Sequence, residues 1–142
     1  MAAELLEKEK LTLAIVKNGK LIYSSCDIGI KPLYSAYTNN IDLKGSSVAD
    51  RVTGKAAAMI CACSGIKELK TGVISDNAIN VLEGTDILFN YDESTPFIKN
   101  RDKTGMCPVE TLSLKINSID ELLAGIERFL ESISIKNDAH LK

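Results

Sequence analysis

Eleven consecutive positions late in the chain, Asn100-Arg101-Asp102-Lys103-Thr104-Gly105-Met106-Cys107-Pro108-Val109-Glu110, hold both signs of charge, a hydroxyl, a glycine and a thiol. Cys107 directly precedes Pro108, and proline favours the first position of a helix. The spacing therefore predicts a thiol at a helix N-terminus, where free backbone N–H groups and the helix dipole favour negative charge. Three readings follow. In the first, Arg101, Thr104, Gly105 and the amides around Cys107 bind a phosphate or carboxylate. In the second, Cys107 is a nucleophile in its thiolate form, with Lys55 or Glu110 moving protons. In the third, the stretch is a solvated surface loop and Cys107 a chance cap.

A second polar pair comes earlier. Gly54-Lys55 resembles the end of a phosphate loop, but Ala49 stands where the first glycine belongs and Ala56 follows the lysine. The pattern is not a P-loop. Asp50 reads as the N-cap of a helix over residues 50–64, with Gly65 just past its end. Asp50 and Lys55 would then line a pocket, or serve only as a cap and a lysine reaching to solvent.

Metal chemistry finds little support. The single histidine, His140, lies in the C-terminal tail. Cys61 and Cys63 are two apart on an expected helix and point to different sides, so they cannot chelate together. No four-ligand zinc spacing is present. Cys26, Cys61 and Cys63 are expected to pack as small hydrophobes. No metal or cofactor is expected.

These residues need a scaffold. A chain of 142 residues is read as one domain over residues 1–142, with enough length to bury a core unaided. Its 45% apolar and 25% charged content is that of a soluble globular protein. A net charge of −2 argues against a nucleic-acid partner, which calls for a basic face. No apolar run reaches the ~18 residues of a membrane span. The charged N-terminus is not a leader, so a cytoplasmic setting with reduced thiols is expected.

Residues 3–8 suggest a short helix. Leu11 to Lys17, Asn18-Gly19 and Leu21 to Ser25 suggest an antiparallel hairpin, because both turn residues accept positive φ. A helix is expected from Pro32 to about Tyr37, and Ser46 to Ala49 read as a short strand or loop. Strands over residues 68–74 and 86–91 alternate with helices over 50–64 and about 76–83, the pattern of βαβ crossovers. After Tyr91 a long irregular stretch is expected through Met106, then a short helix from Pro108. Ser118-Ile119-Asp120-Glu121 is a capping box for an amphipathic helix at about 118–134.

The order Val16-Lys17-Asn18-Gly19-Lys20, Gly29-Ile30-Lys31-Pro32-Leu33, Ala49-Asp50-Arg51-Val52-Thr53-Gly54-Lys55-Ala56-Ala57-Ala58, Gly72-Val73-Ile74-Ser75 and residues 100–110 resembles a small uncharacterised prokaryotic family of unknown function. The resemblance implies a cytidine-deaminase-like fold: an α/β, three-layer α/β/α sandwich on a mixed sheet of about five strands. Zinc deaminases carry H-x-E and then P-C-x-x-C. By element order the first motif belongs near Asp50 and the second where this chain has Ser75-Asp76-Asn77-Ala78. Neither is there, so the fold is expected without zinc-dependent deamination.

The preferred expectation is a metal-free pocket in which Asp50 and Lys55 meet Arg101, Thr104, Gly105, Cys107 and Glu110 around a small anionic or nucleotide-like metabolite. A thiol enzyme using Cys107, or a module that self-associates into a homo-oligomer, are the alternatives.

Overall fold

The computed structural model describes residues 2–27, 29–99 and 105–141, with side chains described up to Ile133. Arg101 and Thr104 thus lie outside the described residues. The chain runs α1 (Ala2–Lys8), β1 (Leu13–Lys17), β2 (Lys20–Ser25), α2 (Lys31–Thr38), β3 (Ser47–Thr53), α3 (Lys55–Ser64), β4 (Glu68–Ser75), α4 (Asp76–Glu83), β5 (Leu88–Thr95), α5 (Pro108–Ser113) and α6 (Ile119–Leu141).

One mixed sheet in the order β2-β1-β3-β4-β5 organises these elements. The hairpin forms as its turn residues dictate: Asn18 and Gly19 sit at φ 53° and 76°, and β1 pairs antiparallel with β2. β1 also pairs antiparallel with β3. β3–β4 and β4–β5 are parallel, each bridged by a helix, because parallel neighbours need a crossover.

The two faces are covered unequally. On one, the main core joins Leu13, Ile15, Val48 and Leu69 of the strands to Ile60 of α3, Leu82 of α4, and Leu122 and Ile126 of α6. On the other, a smaller core joins Leu6 of α1 to Ala14, Val16 and Ala49. The run of alanines at 56–58 is buried, as expected for a helix whose small side chains approach a sheet closely. None of the described helices is long and apolar enough to cross a membrane.

Three expected boundaries shift, the first two because strand pairing outweighs a local signal. Asp50 is not a helix cap. It lies within β3, facing Leu13 and Thr71 in the ladder, and α3 starts after an extended Gly54 with no side-chain cap. Val52 and Thr53 are β-branched and suit a strand. β5 continues four residues past Tyr91, through the Ser75–Thr95 pair, where an irregular stretch was expected. α6 runs to Leu141, beyond the expected 134. Gly65 (φ 66°) ends α3, and Ser75 caps α4 by accepting from the Ala78 N–H.

Candidate functional site

α3 and α4 begin at the carboxyl ends of β3 and β4, the edge where open α/β sheets place ligands. Each helix start exposes backbone N–H groups that need acceptors. A single carboxylate reaches both, α3 through a backbone amide and α4 through the hydroxyl of its cap, Ser75. The Lys55 N–H donates to Glu110 Oε1 at 2.9 Å, and the Ser75 hydroxyl donates to the same oxygen at 3.3 Å. The Ile98 N–H donates to Oε2. Glu110 is only 2% exposed, so these bonds stand in for its lost hydration.

Glu110 reaches this position from α5. Pro108 starts that helix and Cys107 occupies its N-cap, without a side-chain capping bond. The Cys107 N–H donates to the Ile98 carbonyl at 2.7 Å, and Lys99 bridges to Met106; together these tie the returning chain to the segment after β5. Gly54 makes room: a Cβ there would lie 3.0 Å from Glu110 Oε1 and 3.2 Å from Ile98 Cγ1. Sequence reasoning did not identify Gly54, Ser75 or Ile98 as partners of Glu110. The available signal was a glutamate between Val109 and Thr111-Leu112, in the short helix expected from Pro108.

The structure brings Lys55 and Glu110 together, and places Cys107 in the same turn-and-helix unit as Glu110. Lys55 divides its roles. Its N–H is held by Glu110, while its exposed ammonium donates to the Leu114 carbonyl at 3.3 Å. Among the described residues no carboxylate pairs with that ammonium. Cys107 is half-buried, Cys61 is buried, and Cys26 and Cys63 are exposed. Gly105 precedes the Lys99–Met106 bridge, with open space around its Cα.

Asp50 belongs elsewhere. It borders a cavity of about 290 Å³ between α1 and the sheet, with Glu7, Arg51, Lys70, Gly72 and Asp92. Ala49 and Arg51 both face α1: Ala49 through the small core, Arg51 through bonds to the Leu6 and Leu11 carbonyls. Strand alternation turns the Asp50 side chain to the opposite face, towards α3. Burial pushes its carboxyl up to about 7, against the lowering effect of the Arg51 and Val52 amides. Burial, and then the Asp50 charge, raise the thiol of Cys61 on α3. In the cavity itself, Arg51 is paired to Glu7 at 2.7 Å and Lys70 to Asp92 at 2.9 Å.

The family model described as TM1506, a domain of unknown function (DUF1893), matches residues 1–130. The chain belongs to this family. A solved relative, the crystal structure of a DUF1893 family protein (TM1506) from Thermotoga maritima, is 31% identical. It superposes with a TM-score of 0.81, over 88% of this chain and 84% of that one. No curated protein matches the chain. Membership carries no activity with it, so the chemistry must be argued from the site. Among the described residues no three of His, Cys, Asp and Glu cluster as a metal site would require.

Proposed function

We propose that this DUF1893 domain binds a small anionic metabolite at the carboxyl end of β3 and β4. Glu110 forms the fixed floor of the site, and Lys55 supplies the cation on its rim. Gly105 and Cys107 border that rim in this reading. Arg101 and Thr104, from the segment between Lys99 and Gly105, complete it as anion ligands. One observation carries the proposal: the Lys55 ammonium stands at the first turn of α3 with a neutral carbonyl as its partner. A phosphate or carboxylate would find there a full charge; the first amide of α3 is already held by Glu110, so the ammonium and not the helix end supplies the attraction. The nucleotide-like character of the ligand follows from the deaminase-like reading of element order, and so rests on analogy.

Native mass spectrometry of protein purified from cells tests this directly. An adduct in the mass range of a phosphorylated or carboxylated metabolite is expected, lost from Lys55→Ala. Protein free of adducts, together with no binding of inorganic phosphate or nucleoside monophosphates, would falsify the reading.

A further inference from the structure

The two edges of the sheet are built differently. β2 is six residues long, opens on Lys20, and meets β1 through an irregular register at Ile15/Val16. Lysine and bulges are the usual protections of an edge against pairing. β5 is eight residues long, with no lysine, proline or register break. Among the described residues nothing pairs with its outer side. Leu88 is 68% and Tyr91 42% exposed on this one strand. Beside its start lies a cavity of about 440 Å³, bordered by Ala62, Ile66, Lys67, Thr85 and Leu88.

We propose that β5 is a self-association edge: two copies pair antiparallel through β5 about a two-fold axis, continuing one sheet across both. The charges select the register. A two-fold perpendicular to the sheet must set residues of like facing opposite each other, so the centre falls on a residue. Two centres give the longest ladder for residues 88–95. Centring on Asp92 opposes that carboxylate to its own copy, which is unfavourable. Centring on Tyr91 sets Asn90 against Asp92, Phe89 against Glu93 and Leu88 against Ser94, with no like charges opposed. Past the strand ends, where the chain bends at residues 85–86 and 96–97, this register brings the half-buried Phe97 of each copy near the start of the other's β5, which borders the 440 Å³ cavity. Main-chain bonds supply the pairing, and this aromatic residue meeting a cavity adds apolar contact.

Sedimentation velocity across the micromolar range is expected to show a reversible monomer–dimer equilibrium. Tyr91→Lys, which opposes two ammonium groups on the axis, should raise the dissociation constant at least about tenfold. A second variant does not depend on that folding: Tyr91→Cys in a chain with Cys26→Ser and Cys63→Ser. It should oxidise to a dimer with a 91–91 disulfide identified by peptide mapping. Phe89→Cys in the same background should not, since its counterpart lies opposite residue 93. A monomer at every concentration, a dimer indifferent to Tyr91→Lys, or equal cross-linking at positions 89 and 91 would each overturn the proposal.

Discussion

Two polar regions lie on this sheet, and they differ in what is already satisfied. Under α1, both cations in the cavity have carboxylate partners: Arg51 with Glu7, and Lys70 with Asp92. At the starts of α3 and α4 the order is reversed. The carboxylate, Glu110, is buried and supplied with three donors, while the nearby Lys55 ammonium has only a carbonyl. A collection of charges around a cavity therefore says little about ligands. What counts is which charge the fold leaves uncompensated, and where it stands relative to helix ends and strand ends.

The two acids sharpen the contrast. Glu110 is buried and Asp50 half-buried, and Glu110 is met by donors from three separate segments. Asp50 receives backbone N–H groups from its own strand, the Arg51 bond measuring 2.9 Å. Removing Glu110 should have the larger effect. Glu110→Ala orphans the Lys55 and Ile98 amides and the Ser75 hydroxyl in a buried setting, and a loss of roughly 5 kcal/mol is expected by chemical denaturation. Glu110→Gln keeps one acceptor and should lose about half of that.

Asp50 should behave in the opposite sense, with pH as the variable. Its folded-state carboxyl titrates near 7, above the ordinary 3.8, so the native state holds a proton that the unfolded chain has released. The stability this confers is complete below about pH 4 and is lost as pH rises through 7. Asp50→Asn should abolish that decline, stabilising the protein on the order of 4 kcal/mol at pH 8 and hardly at all at pH 4. Denaturant melts of both proteins across this range check it; parallel curves would contradict the assignment.

Smaller effects test the ground between the two regions. A Cβ on Gly72 would lie 2.8 Å from the Arg51 carbonyl oxygen, backbone against backbone beside Asp50. Gly72→Ala should cost about 2 kcal/mol, read as a lowered denaturation midpoint. Lys55→Ala, by contrast, should change stability by less than ~0.5 kcal/mol while removing the proposed ligand binding. A large loss of stability there would assign Lys55 to the scaffold instead.

Much of the scaffold was legible in local signals. Asn18-Gly19 marked the hairpin, Gly65 marked the end of α3, and the helix expected at about 76–83 matches α4. Asp50 was misplaced because a carboxylate before an apolar run looks the same as a cap when the partner strands are unseen. Only the pairing of β3 with both β1 and β4 distinguishes the two. The extension of β5 was hidden for a related reason: Asp92, Glu93, Ser94 and Thr95 have the composition of a loop, and the ladder with β4 overrides it. At the site, Lys55 and Cys107 were legible as residue types. The bonds from Glu110 to Lys55 and Ser75 span 55 and 35 positions, and no spacing rule reaches that far.

The comparison between the two regions is decided most directly by following backbone amide resonances of the folded protein while adding inorganic phosphate and then a nucleoside monophosphate. Shifts concentrated at Lys55, Ala56 and Cys107, with Glu7, Arg51 and Lys70 unmoved, are the predicted result. Shifts confined to the α1 cavity, or none at either place, would contradict the account.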